Sequence, residues 1–153
     1  MKAKDKGTRL ETDVLRWFRD SGFPWAERLA LSGSQDCGDL SLLPGRAVIV
    51  ECKNVSAAAS GQPGAKLLHK WLMETDVEAE HAGADFALLV VKRSGTTDAG
   101  RYWCYMRLGE WLRLSGAHLP LPDPSQPVCV SLASAAAVLR SAGYGTAPEG
   151  ETL

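Results

Sequence analysis

The feature that most restricts how this chain can fold is an apolar segment that is followed directly by charged residues. Residues 48–50 are three consecutive β-branched residues, which favour the centre of a sheet, and they lead directly into Glu51 and Lys53. Because residues two apart in a strand share a face, Glu51 and Lys53 project together and Cys52 projects to the other side. Burying both charges is costly unless they are paired or bind an ion. Residues 47–53 therefore predict a buried strand with a polar site at its end.

A second carboxylate, that of Asp39, is expected beside this strand end. The turn at residues 44–46 predicts a hairpin that folds Asp39 back towards Glu51 and Lys53. Carboxylates hold Mg²⁺ together with water and substrate phosphate, and the metal makes a bound water more acidic. The lysine could orient that water or offset charge on the phosphate. The alternatives are a surface ion pair at a strand end and, for the aspartate, Asp36 in the preceding polar loop.

A third carboxylate, that of Glu11, lies inside the apolar arc of a predicted helix. With about 100° per residue, Glu11 falls between Val14 and Leu15 and beside Phe18. A solvated glutamate would be expected on the opposite side. Glu11 could instead lie at the margin of the apolar stripe, or serve as an early-turn carboxylate favoured by the helix dipole.

The periodicity of the apolar residues predicts an α/β domain with one central mixed β-sheet flanked by helices. Helices are expected at residues 8–21, 65–81 and 134–142, with one further helical turn at 110–114. Strands are expected at residues 25–31, 39–43, 47–53, 84–92, 101–108 and 128–131, the last of them at a sheet edge. The domain is expected to span residues 1–144, followed by a disordered tail at 145–153.

Composition and charge narrow the class of protein. The chain is 45% hydrophobic and 23% charged, which is typical of a soluble globular protein. The longest apolar run, residues 86–91, is far shorter than the roughly 18 residues of a membrane span. The basic N-terminus leads into no apolar signal segment, so we expect no membrane partner and a cytoplasmic location. The four cysteines lack metal-ligand spacing and are expected to be reduced and packed.

The net charge of −1 conceals an asymmetry along the chain. Residues 1–70 carry 11 Lys and Arg against 8 Asp and Glu, whereas residues 71–153 carry 6 against 10. The first half could therefore face phosphates.

The motifs in this first half, taken in order, resemble those of the PD-(D/E)xK nuclease superfamily. The pattern is most similar to archaeal-type Holliday junction resolvases, and it covers roughly residues 6–92. It consists of Gly7-x-x-x-Glu11 on the first helix, Arg28 followed by Ser32-Gly33-Ser34, then Gly38-Asp39, then Glu51-x-Lys53.

The resemblance implies a restriction-endonuclease-like domain, with its nuclease core at residues 6–92 and a β/α addition at 101–144. It implies a homodimer that cuts DNA, with branched DNA as the preferred substrate, and that uses Mg²⁺ or, in its place, Mn²⁺. Glu11, Asp39, Glu51 and the backbone carbonyl of Cys52 would hold the metal, and Lys53 would position the attacking water. Ser32 or Ser34 would contact the scissile phosphate or a metal-bound water. The remaining DNA-binding residues would be Arg28, Lys6 and Arg9.

Two features leave alternatives open. Gly38 stands where the superfamily has its eponymous proline, and the acidic second half fits poorly with the broad basic face of a resolvase. A restriction-type or repair nuclease acting on other DNA is one alternative, and a non-catalytic DNA-binding module is another. On the second helix, Glu78 is expected to be a partly exposed residue, with a supporting role in the site as the less favoured reading.

Overall fold

Six strands form one mixed sheet in the computed structural model, which describes residues 3–30, 35–55 and 61–147. The strands are β1 (Glu27–Arg28), β2 (Leu40–Ser41), β3 (Val48–Lys53), β4 (Phe86–Val91), β5 (Trp103–Arg107) and β6 (Pro127–Ser131). Each strand pairs with the next one along the chain. These pairs are antiparallel, except that β3 and β4 run parallel.

Four α-helices in the described part of the chain cover the two faces of the sheet. They are α1 (Ala3–Asp20), α2 (Ala65–Ala82), α3 (Leu108–Ser115) and α4 (Leu132–Ser141). The helix α2 connects the parallel strands β3 and β4, as a parallel pair requires. It packs on the face that carries Leu89 and Val91, whereas α1, α3 and α4 build the larger core on the face that carries Leu88 and Val90.

Alternation along β3 and β4 divides these two cores. In the parallel register Glu51 lies beside Leu89 and Lys53 beside Val91, so both charged residues are on the α2 face. Cys52 packs against the opposite core, as the period of two predicts. The strand β3 is buried from Val48 through Glu51, and only its last two residues are partly exposed.

The predicted fold class, a mixed sheet flanked by helices in one α/β domain, is confirmed. The predicted helix at 65–81 and the edge strand at 128–131 agree with α2 and β6 to within one residue at each end. Among the described residues, no helix is both long and apolar enough to cross a membrane.

Several predicted boundaries were wrong. The helix α1 begins at Ala3 and not at residue 8, because Ala3, Lys4 and Lys6 are good helix formers and extend it past Gly7. The predicted strand at 39–43 shrinks to the two residues of β2, because the chain bends on both sides of it. The predicted strand at 25–31 is the two-residue β1 in the described part of the chain, which excludes residue 31, because residues 24 and 25 form a turn. The turn at 110–114 is the full helix α3, which ends at Gly116 in the left-handed conformation.

The last helix also begins earlier than expected, and the chain beyond it returns to α1. Ser131 caps α4 by accepting a hydrogen bond from the Ser134 N–H, so that the helix starts at Leu132. After α4, the Thr146 N–H donates to the Gly22 carbonyl at 2.8 Å. The predicted disordered tail at 145–153 stays a prediction for residues 148–153, which lie outside the described residues.

Candidate active site

Asp39 is held against the end of β3 by two backbone contacts. Its N–H donates to the Val50 carbonyl at 3.0 Å, and its Oδ2 accepts from the Cys52 N–H at 2.8 Å. The predicted hairpin therefore places the Asp39 carboxylate beside the strand that carries Glu51. The alternative, Asp36, is exposed, and its Oδ1 accepts from the Gly38 N–H at 2.9 Å, which stabilises the turn.

Gly38 occupies a position that no proline could take. Its φ is +100°, whereas the proline ring holds φ near −65°. A Cβ at this position would lie 3.2 Å from Ile49 Cδ1 and 3.4 Å from the Val50 carbonyl oxygen. The departure from the superfamily pattern thus has a local cause: the chain approaches β3 closely here in a left-handed conformation, which favours glycine.

Glu11 reaches the same place from the other face of the sheet. Its carboxyl group lies within hydrogen-bonding reach of the Asp39 carboxyl group, and its side chain is 28% exposed. Arg28 Nε lies 3.9 Å from Glu11 Oε2, and Arg28 Nη2 donates to the Thr8 carbonyl at 2.9 Å. The apolar arc of α1 therefore carries Glu11 to the sheet, with Arg28 beside it.

Glu51 and Lys53 lie together on the α2 face, as the alternation predicts. Glu51 is only 6% exposed. Lys53 Nζ lies 3.4 Å from Glu51 Oε1 and 3.3 Å from Glu74 Oε2, so the ammonium bridges β3 and α2. The four residues expected to be catalytic, Glu11, Asp39, Glu51 and Lys53, thus come together at one end of the sheet.

The prediction that Glu78 is a partly exposed helix residue is wrong. Glu78 is buried beside Glu51. It is 7% exposed, and its carboxyl group lies within hydrogen-bonding reach of that of Glu51. The sequence feature that indicates its burial is its helical spacing from Leu72 and Thr75, which form the buried stripe of α2 with it. The docking of that stripe onto the sheet brings a fourth carboxyl group beside β3.

Burial raises the pKa values of all four carboxyl groups. Desolvation and the nearby Asp39 charge raise the pKa of Glu11 to about 7, against an attraction from Arg28. Desolvation and the contact with Glu78 raise the pKa of Glu51 to about 10. Desolvation also raises the pKa values of Asp39 and Glu78. The cluster is thus short of positive charge and is stabilised by bound protons or cations.

Lys53 behaves in the opposite way. Burial alone lowers the pKa of its ammonium, but the charges and hydrogen bonds of Glu51 and Glu74 outweigh that effect and raise it. Lys53 therefore remains a cation at neutral pH and stands beside the carboxylates as a fixed positive charge.

The donor chemistry of the cluster fits a hard divalent cation, because its side-chain oxygens are carboxylate oxygens. Within the described ranges, no group of three or more His, Cys, Asp and Glu residues is arranged as it stands to hold a metal ion. The four carboxyl groups form two contacting pairs, Glu11 with Asp39 and Glu51 with Glu78. The Oε2 atoms of Glu51 and Glu78 are buried without a hydrogen-bond donor from any described residue.

The expected DNA-binding residues are only partly described. Lys6 and Arg9 are exposed on the first turns of α1, less than two turns before Glu11. Ser32 and Ser34 lie outside the described residues. The metal-ligand role of the Cys52 carbonyl stays a prediction, although the Cys52 N–H does contact Asp39.

Comparison of the chain with family profiles, with curated proteins and with solved structures returned no match. The resemblance to the PD-(D/E)xK superfamily therefore stays a prediction based on the motifs and their order.

Proposed function

We propose that this protein is a metal-dependent DNA endonuclease that hydrolyses phosphodiester bonds. The observation that carries the proposal is the meeting of Glu11, Asp39 and Glu51 with Lys53. These residues come from α1, from the turn before β2 and from β3, and they form a half-buried cluster with raised carboxyl pKa values. Structural ion pairs rarely need this excess of buried carboxylates, whereas a site for a cation and a phosphate does.

Each residue has a role that follows from its position. Glu11, Asp39 and Glu51 would hold Mg²⁺, with Mn²⁺ as a substitute, and the Cys52 carbonyl would add a backbone ligand. A bound divalent cation supplies a more acidic water and offsets charge on the phosphate. Lys53, held between Glu51 and Glu74, is placed to orient the attacking water or to offset charge on a phosphate oxygen.

The basic residues near the cluster support a nucleic acid as substrate. Lys6 and Arg9 are exposed on α1, and Arg28 lies beside Glu11 with 41% of its side chain exposed. Guanidinium and ammonium groups of this kind bind the phosphate backbone without reading sequence. The excess of basic residues in the first 70 residues agrees with this placement.

Within this class, the finer proposal is a homodimeric resolvase that cuts Holliday junctions. It rests on the motif order and on the residues that match it. A restriction-type or repair nuclease on other DNA uses the same cluster. A DNA-binding module without turnover is less favoured, because the three carboxylates and the lysine are all present, and the loss of one would disable cleavage.

Asp39→Asn provides the decisive test, with Asp36→Asn as its matched control in the same loop. Both proteins and the wild type are incubated with four-way junction, flap, linear duplex and single-stranded DNA, with Mg²⁺, Mn²⁺ or EDTA. We expect metal-dependent cutting by the wild type and by Asp36→Asn, and a loss of at least about 100-fold in Asp39→Asn, because the metal loses a ligand. Circular dichroism and thermal unfolding show whether the variants remain folded.

The DNA that is cut decides among the candidates. Paired, symmetric nicks confined to the junction establish a resolvase. Cutting of linear DNA retains the nuclease and rejects the resolvase. Full activity in folded Asp39→Asn rejects the assigned site, and the lack of metal-dependent cutting of any of these DNAs by the wild type leaves the DNA-binding module.

A further inference from the structure

We propose that Glu78 on α2 holds a divalent cation together with Glu51 on β3, so that the candidate active site has a fourth carboxylate ligand. The inference rests on the proposed metal site and extends it onto the helix that crosses between the parallel strands. Neither the spacing of the motifs nor the resemblance gives Glu78 a metal.

The position of Glu78 is fixed by the packing of α2. Leu72, Thr75 and Glu78 are the buried residues of this helix, so they form the side that packs on the sheet. At the β3 end of this contact, Glu78 faces Glu51, and the two side chains are 7% and 6% exposed. Solubility does not explain a glutamate in this place, because its carboxyl group is hidden from water. Charged residues are rarely buried unless they are paired.

Each of the two facing carboxyl groups has one oxygen that accepts no hydrogen bond from any described residue. Among the described residues, nothing donates to Glu51 Oε2 or to Glu78 Oε2. The Thr75 hydroxyl, one turn away, donates to the Trp71 carbonyl at 2.7 Å. Lys53 lies beside Glu51 Oε1, the other oxygen of that carboxylate, at 3.4 Å. Two buried acceptors that face each other need a positive charge or a proton between them.

The charges around the pair leave room for a cation. Within the described part of the chain, the basic groups in ion pairs here are Lys53, which is shared with Glu74, and Arg28, which lies beside Glu11. The carboxyl groups they face are those of Glu11, Asp39, Glu51, Glu74 and Glu78. Divalent cations prefer carboxylate oxygens contributed by several elements, and Glu78 and Glu51 present such oxygens from a helix and a strand. The competing explanation is a single proton shared by the pair.

Mn²⁺ binding to the protein distinguishes a bound cation from a shared proton. The wild type, Glu78→Gln and the control Glu80→Gln, an exposed glutamate on the same helix, are titrated with Mn²⁺ at pH 7.5. Binding is followed by calorimetry and by the electron paramagnetic resonance signal of free Mn²⁺. We expect Glu78→Gln to bind Mn²⁺ about tenfold or more weakly, or to lose one binding event, and Glu80→Gln to match the wild type. Glu78→Asp, which keeps the charge but shortens the reach, should also bind more weakly and serves if Glu78→Gln does not fold.

The Mn²⁺ titrations test the cation site independently of DNA cleavage. Wild-type affinity and stoichiometry in folded Glu78→Gln overturn it in favour of the shared proton, and so does a wild type that binds no Mn²⁺ at millimolar concentration. Weakened binding in Glu78→Gln alone supports it. A wild type that binds Mn²⁺ through Glu78 but cuts no DNA rejects the proposed nuclease and leaves the cation site standing.

Discussion

Removing the charge of Glu11 should stabilise the metal-free protein at alkaline pH. Burial and the Asp39 charge raise the pKa of Glu11 from 4.5 to about 7. The folded state therefore holds a proton that the unfolded chain releases, and stability falls as pH rises from about 4.5 through about 7. In Glu11→Gln this loss is absent, and the amide can donate to the Asp39 carboxylate. The stability difference between variant and wild type should then be near zero at pH 4.5 and largest above pH 7.

The magnitude follows from the shift. At about 1.4 kcal/mol per pKa unit, the full shift corresponds to about 3 kcal/mol. The Glu11 side chain is 28% exposed, and solvent screening reduces the expected gain to about 1–2 kcal/mol. For a chain of this length, that raises Tm by roughly 3–6 °C.

Thermal unfolding in EDTA at pH 5 and pH 8 measures this gain. Glu27→Gln, an exposed carboxylate on β1, serves as the control and should unfold like the wild type at both pH values. A Glu11→Gln protein that is less stable than the wild type at pH 8, or whose advantage is the same at both pH values, would refute the reasoning from buried charge.

Two further variants test other parts of the site. Gly38→Ala should destabilise the protein by about 1–3 kcal/mol in urea unfolding and weaken cleavage, because a Cβ there meets Ile49 Cδ1 at 3.2 Å at a φ of +100°. Gly45→Ala, with a φ of +82° but nothing within 4 Å, isolates the backbone strain and should cost less; equal losses would contradict the steric argument. Lys53→Gln should abolish DNA cleavage while Mn²⁺ binding, followed by calorimetry, persists; unchanged cleavage would remove the lysine from the mechanism.

Local periodicity accounts for the parts of the site that the sequence could predict. The period of two in β3 placed Glu51 and Lys53 on one face, and the period of 3.6 in α1 placed Glu11 inside the apolar arc. Each prediction needed only the residues of one element, and each agrees with the burial in the structure. The hairpin that folds Asp39 back needed only a turn signal.

The remaining features depend on contacts between distant elements. Glu78 is buried because α2 docks on β3 and β4, and its helix alone shows only a polar residue near an apolar stripe. The lengths of β1 and β2 depend on where the chain leaves the sheet, which neither strand encodes by itself. Boundaries of this kind follow from tertiary packing, which overrides local preference.

The strand order has a consequence for how the protein folds during synthesis. Because every strand pairs with its neighbour in the chain, the sheet can grow in the order in which residues leave the ribosome. Glu51 on β3 is synthesised before the elements that cover its face of the strand, which arrive with α2 and β4. Until residue 91 has emerged, the nascent chain therefore carries Glu51 without the cover of α2 and β4, and its desolvation is deferred to the closure of the β3–α2–β4 crossover.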